Sequence, residues 1–159
     1  MKIEELENKI KELQEELEKL KNKENKRWRA ERGEKYWHIT SNGGTEWFYE
    51  AYTIGDNSLY DFHNYFKTEK EAQATIDNIE THIELMELAE ELNTEPIDWE
   101  NYRQNKYSIN YSYNSKEIYD GSNCWVKAAN VIYCTNDKFK NEAIKRIGEE
   151  RLIKYLKGE

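Results

Sequence analysis

The stretch YFKTEKEAQATI, residues 65–76, passes from aromatic, strand-like sequence into a helix. Thr68 and Glu71 have the T-x-x-E spacing of a capping box, in which side chains at the helix start accept hydrogen bonds from backbone N–H groups. Apolar residues then recur at helical spacing: Ala72, Ile76, Ile79, Ile83 and Met86. The run Asn93-Thr94-Glu95-Pro96 ends this pattern, because the residue before a proline disfavours helical geometry. We therefore predict a helix at about residues 69–92.

A second passage of the same kind occurs further along the chain. Ile132-Tyr133-Cys134-Thr135 corresponds to Tyr65-Phe66-Lys67-Thr68, and each precedes a helical pattern. The second pattern carries Phe139, Ala143, Ile144 and Ile147. Gly148 then breaks it, and Leu152, Ile153 and Leu156 indicate a final short helix.

Upstream of each passage, the sequence alternates between aromatic stretches and turns. Tyr36 and Tyr107 begin matching strands, which reach turns at Asn42-Gly43-Gly44 and Asn114-Ser115. Two more strand-like stretches follow in each copy. The sequence thus predicts an α+β fold with two β-β-β-α repeat units, 35–98 and 99–159, each with a small antiparallel sheet.

The N-terminal segment, residues 1–26, has the heptad pattern of a coiled coil. Its apolar residues follow a 3-4-3-4-3 spacing, with charged and amide residues between them: Ile3, Leu6, Ile10, Leu13, Leu17 and Leu20. Isoleucine at two of three a positions and leucine at every d position favours a parallel dimer. A single amphipathic helix that packs on its own body is the alternative. Residues 27–34 are predicted to be a linker into the body.

Composition and charge limit the function classes. The chain has 159 residues and a net charge of -8, which disfavours broad electrostatic binding to nucleic acid or to anionic lipid and favours a partner with a basic surface. The sequence has no run of about 18 apolar residues, and its N-terminus is charged. We therefore expect no membrane span, no secretory signal and a cytosolic location.

No side-chain pattern indicates catalysis, a metal site or a cofactor. The three histidines, His38, His63 and His82, lack the neighbours of a metal site, and two cysteines cannot form a common zinc motif. Cys124 and Cys134 are expected to be reduced thiols, with burial as small apolar groups the default reading. The sequence therefore predicts a binding protein and no enzyme.

Two patterns are candidates for partner binding. The predicted long helix carries an acidic stripe at helical spacing: Asp77, Glu80, Glu84, Glu87 and Glu91. Such a stripe can bind a basic surface, although a solvated helix face has the same pattern. Trp47 and Tyr49 belong to a contiguous aromatic run, in which one strand face can cover a core while the other contacts a partner. Sheet aromatics also allow an alternative, a nucleotide- or RNA-binding module.

The pattern RWRAExGExYWxI, which begins at Arg27, together with NYFKTxxEA, which begins at Asn64, resembles small proteins encoded by phages and prophages of low-GC Gram-positive bacteria. The resemblance is best over residues 27–75 and extends weakly over the second unit. It implies a phage accessory protein in the host cytosol, where many such proteins antagonise CRISPR or other defences. We therefore expect a dimeric inhibitor of a host defence or nucleic-acid-handling protein.

Overall fold

The structure, a computed structural model, describes residues 8–10, 12, 13, 27–122, 124 and 126–159. From residue 27 onward its regular elements are, in chain order, β1 (Lys35–Ile39), β2 (Thr45–Tyr49), α1 (Ile54–Asp61), α2 (Glu69–Leu92), β3 (Ser108–Ser112), β4 (Glu117–Gly121), α3 (Phe139–Ile147) and α4 (Glu149–Lys157). The strands form two antiparallel hairpins, β1-β2 and β3-β4. This confirms the α+β class with small antiparallel sheets.

The described chain divides into two compact units, one ending at Glu69 and the other covering Lys70–Glu159. This division differs from the expected boundary at residues 98 and 99, because α2 contributes to the core of the second unit. Leu85 and Leu88 of α2 belong to one buried cluster with Ile109 of β3 and Leu152 of α4. No helix in the described ranges combines the length and apolar character that crossing a bilayer would need.

The segment 27–34 is part of the first unit and not the linker that the sequence predicted. Ala30 is buried in the core of this unit, and the ring of Trp28 packs against Tyr65 at 5.8 Å between centroids. The backbone N–H of Gly33 donates to the carbonyl of Glu50 at 2.8 Å. The basic composition of the segment suggested a solvated linker, but its chain lies against the hairpin.

The prediction of a third strand in each unit is wrong. In the first unit this region holds α1, which begins with a capping box between Thr53 and Asp56 that favours a helix over a strand. In the second unit no strand occurs between β4 and α3 among the described residues. What remains of a third strand is one isolated bridge in each unit, between Trp37 and Phe66 and between Tyr107 and Cys134.

These bridges shift the predicted correspondence between the units by one residue. If the bridges are matched, Trp37 corresponds to Tyr107 and Phe66 to Cys134. The sequence comparison had instead matched Tyr36 with Tyr107 and Phe66 with Tyr133. The difference arises because alternate strand residues face opposite sides, so aromatic identity does not report which side a residue occupies.

Helix α2 has the predicted bounds but buries a different face from the one expected. Of the predicted apolar stripe, Ala72 and Ile76 are buried, whereas Ile79, Ile83 and Met86 are 52%, 48% and 53% exposed. The face that enters the core of the second unit carries Leu85, Leu88 and Ala89, with Leu92 packed at its edge. The helix therefore has two apolar faces, and one of them is largely open.

A pair of truncations in α2 tests this assignment. Leu85→Ala should lower the free energy of unfolding by about 2–4 kcal/mol, because it leaves a cavity in a packed core, whereas Ile83→Ala should cost less than about 1 kcal/mol. Urea unfolding followed by circular dichroism measures both values. Equal losses from the two variants would contradict the burial of the Leu85 face.

Candidate functional site

The first unit is built around the buried carboxylate of Glu50, the residue that follows β2. Its side chain is 1% exposed. Arg29 Nε donates to Glu50 Oε2 at 3.1 Å, and the hydroxyl of Tyr65 donates to the same oxygen at 2.7 Å. The backbone N–H of Tyr52 donates to Oε1 at 2.6 Å. A buried carboxylate is stable only when it is paired and hydrogen-bonded, and both oxygens here meet that condition.

Asp56 of α1 is a second buried carboxylate in the core of this unit. The hydroxyl of Tyr36 donates to Asp56 Oδ1 at 2.6 Å, and Thr53 donates to Oδ2 from both its backbone N–H and its hydroxyl. Burial acts to raise the pKa of Asp56, but the hydrogen bonds from Tyr36, Thr53 and the Ala51 backbone outweigh it and lower the pKa to about 2. Asp56 is therefore ionised at neutral pH.

Two stacked tyrosines connect these carboxylates. The rings of Tyr36 and Tyr65 lie 4.0 Å apart at 13°. Burial, followed by the hydrogen bond that each donates to its carboxylate, raises the pKa of both hydroxyls. Both tyrosines therefore stay protonated and act as hydrogen-bond donors. This network of side chains and backbone N–H groups joins the 27–34 segment, the β1-β2 hairpin and α1.

Alternate residues of a strand point to opposite faces, so the hydrogen bonds that fix the inner face of the hairpin also fix its outer face. Tyr36 and Glu50 point into the core, so Lys35, Trp37, Trp47 and Tyr49 point to the opposite side. Trp47 and Tyr49 are 41% and 61% exposed, and their rings meet edge to face at 5.2 Å. We call Lys35, Trp37, Trp47 and Tyr49 the aromatic platform. The two predicted aromatic site residues therefore lie together on one exposed face.

Lys35 lies across the indoles of the aromatic platform. Its Nζ is 4.3 Å from the ring centroid of Trp37 and 4.4 Å from that of Trp47. Each exposed cation–π contact of this kind contributes about 0.5–1 kcal/mol. The sequence reasoning missed Lys35 and Trp37 because the pairing of Trp37 with Trp47 depends on the register of the hairpin.

Most side chains of the acidic stripe form ion pairs or hydrogen bonds within the second unit. Glu80 and Glu84 pair with Arg151 of α4, at 3.5 Å and 2.7 Å. Both carboxylate oxygens of Glu91 accept from Nη2 of Arg146 in α3, each at 3.0 Å. Asp77 accepts a hydrogen bond from Gln73 at 2.9 Å. Glu87 has no ion-pair partner within the described ranges. Three of the five acidic side chains therefore connect α2 to α3 or α4 through ion pairs.

The heptad positions are described only in part. Ile10 and Leu13 are helical and are 53% and 57% exposed. Ile3, Leu6, Leu17 and Leu20 lie outside the described residues. The parallel dimer stays a prediction.

Two histidines and one cysteine have contacts within the described part of the chain. His38 stacks on Phe48, and His82 is hydrogen-bonded to the hydroxyl of Tyr155 at 2.6 Å. Cys134 is fully buried, and burial raises the pKa of its thiol. No group of three His, Cys, Asp or Glu side chains that could hold a metal ion occurs among the residues with described positions.

No protein-family model, curated protein or solved structure shows a significant match to this chain. The exposed large apolar side chains of the first unit include Trp47 and Tyr49 of the aromatic platform, as well as Ile54 and Phe62.

The depressed pKa of Asp56 gives a pH test of the network. Because the folded pKa is about 2 and the ordinary value is 3.8, the ionised carboxylate adds about 2 kcal/mol of stability at pH 7. That contribution is complete above the unfolded pKa and is lost as the pH falls toward 2. The difference in unfolding free energy between wild type and Asp56→Asn should therefore fall by about 1 kcal/mol between pH 7 and pH 3. A difference that stays constant from pH 7 to pH 3, in urea titrations followed by tryptophan fluorescence, would contradict this role of Asp56.

Proposed function

We propose that this chain is a non-catalytic binding protein that docks on a partner protein through the aromatic platform of its first unit. The observation that carries the proposal is the exposure of Trp47 and Tyr49 on a hairpin face whose opposite face is held by buried hydrogen bonds. Tryptophan and tyrosine contribute most of the energy in many protein interfaces. A surface fixed before binding loses little conformational entropy when it binds.

Charge favours a protein over a nucleic acid as the partner. Residues 27–69 contain seven acidic and five basic residues, and the whole chain carries -8. Base stacking on a sheet face normally accompanies a positively charged track for the phosphates. Lys35 is the one cation on the platform, so such a track is missing there.

The resemblance to phage-encoded proteins extends the proposal to the biological role. The platform would cover a working surface of a host defence or nucleic-acid-handling protein in the host cytosol, and so inhibit it. A basic surface on that protein fits the charge of -8, which would speed association at low salt. Of the acidic stripe, Asp77 and Glu87 are the members that do not pair with Arg146 or Arg151.

We also propose that residues 1–26 form a parallel homodimer and that the two hairpin-and-helix units are repeats. The exposure of Ile10 and Leu13 supports a heptad seam that is available to a second chain. The matching bridges Trp37–Phe66 and Tyr107–Cys134, each followed by a helix, support the repeat. Dimerisation would raise avidity for a partner that presents two sites.

The second candidate function is nucleotide or RNA binding on the same face. The position of Lys35 over Trp37 and Trp47 favours it, because a planar base could stack on an indole while the ammonium contacts its phosphate. The same experiment separates the two candidates.

Affinity capture from a lysate of a low-GC Gram-positive host tests the platform. Wild type should retain a host protein that the Trp47→Ala/Tyr49→Ala variant loses, since the variant removes the two exposed rings of the platform. The matched control is Tyr102→Ala/Tyr113→Ala, which removes two exposed tyrosines of the second unit and should retain the protein. Circular dichroism establishes that each variant is folded.

Two outcomes of this capture are decisive in other ways. Equal retention by wild type and by the platform variant would refute the proposal. Retention of RNA that is lost on Trp47→Ala/Tyr49→Ala would favour the second candidate function.

The dimer is tested by light scattering. Leu13→Lys/Leu17→Lys should convert a dimer into a monomer, because it places charges in the apolar seam. Asn8→Lys/Asn22→Lys adds the same charge at outward-facing heptad positions and should leave the mass unchanged. A monomeric wild type would show the dimer proposal to be wrong.

A further inference from the structure

The open face of α2 forms an apolar stripe on the second unit. Ile79, Ile83 and Met86 follow the i, i+4, i+7 spacing of a single helix face, and each is about half exposed. Over seven residues the stripe extends about 10 Å along the helix axis. Exposed apolar side chains in such a row are typical of a surface that another helix covers.

The stripe leads into an open cavity at the C-terminal end of α2. Met86 belongs to both, and Glu90 and Asn93 continue the same helix face into the cavity. The cavity has a volume of about 850 Å³. Its apolar lining includes Ala89, Pro96, Val131 and Ile132. Met86 joins the stripe to the cavity, and we call the two together the α2 groove.

The charges of the α2 groove have one sign. Glu90 and Glu95 line the cavity, and none of the other described residues that line it is a lysine or an arginine. Glu87 belongs to the acidic stripe of α2 and lies next to the apolar stripe. Unlike Glu80, Glu84 and Glu91, these three carboxylates have no ion-pair partner in the part of the chain that the structure describes. The groove therefore presents carboxylates that form no direct ion pair beside apolar surface.

We propose that the α2 groove binds a basic amphipathic helix of a partner protein. The apolar residues of that helix would pack on Ile79, Ile83 and Met86, and its lysines or arginines would meet Glu87, Glu90 and Glu95. Helix on helix is the geometry that a stripe with i, i+4, i+7 spacing presents. A second copy of this chain fits less well, because two α2 faces would bring their acidic stripes together. This site lies in the second unit and does not depend on the aromatic platform.

The test is fluorescence anisotropy of the full chain with a synthetic peptide. The probe is a labelled helical peptide of about 18 residues, with leucine at i, i+3 and i+4 and lysine at the other positions. Met86→Ser and Glu90→Lys should each weaken its binding about tenfold, through lost apolar contact and reversed charge. Glu117→Lys, an equal charge change on β4, should leave the dissociation constant within about twofold of wild type.

Three results would overturn the proposal. The first is no binding of the lysine peptide, or equal binding of a peptide with glutamate in place of lysine. The second is equal weakening by Glu90→Lys and Glu117→Lys, which would indicate attraction to net charge alone. The third is a change in the oligomeric mass of the protein with Met86→Ser, measured by light scattering, which would assign the groove to a second copy. None of these outcomes bears on the capture experiment with the platform variant.

Discussion

The hydrogen-bonded carboxylate of Glu50 is the interaction on which the first unit depends. The apolar core of this unit is small, with Ala30, Tyr36 and Tyr65 as its buried members. A core of that size leaves little apolar area to fix how the 27–34 segment, the hairpin and α1 pack. Glu50 joins the 27–34 segment to the hairpin because Arg29 donates to it, and Tyr65 donates to the same carboxylate from beyond α1. Asp56 of α1 is joined to β1 by the hydroxyl of Tyr36. Removal of one partner would leave a buried charge unpaired, which typically costs about 3–5 kcal/mol.

The same constraint explains why large aromatic side chains remain outside. Tyr36 and Glu50 point to the interior face of the hairpin, and strand alternation directs Trp37, Trp47 and Tyr49 to the other face. The proposed binding surface is thereby linked to the hydrogen-bond network, since the side chains that anchor the hairpin also orient that surface. The second unit is organised differently: there, ion pairs from Arg146 and Arg151 hold α2, and its unused carboxylates border an apolar groove.

Local signals in the sequence were sufficient to predict the local elements. The Thr68–Glu71 spacing and Pro96 predicted α2, and the turn around Gly43 predicted the first hairpin; Gly43 has a φ of 81°, which favours glycine. Long-range partners could not be predicted. Residues 27–34 are not a linker, because Arg29 pairs with Glu50. Part of the acidic stripe forms ion pairs inside the second unit, because Glu84 pairs with Arg151, 67 residues away. The exposure of Ile83 could not be predicted either, because helical spacing identifies an apolar face but does not show what covers it.

The coupling between the Glu50 network and the aromatic platform can be measured directly by proton NMR of the Lys35 side chain. In the wild type, the ring currents of Trp37 and Trp47 should shift the Lys35 methylene protons upfield, because its ammonium lies over both indoles. In a folded Glu50→Gln variant, where the charge that pairs with Arg29 is lost, these resonances should move back toward the values of an exposed lysine. Upfield shifts that stay unchanged in Glu50→Gln would contradict the claim that the buried carboxylate positions the platform.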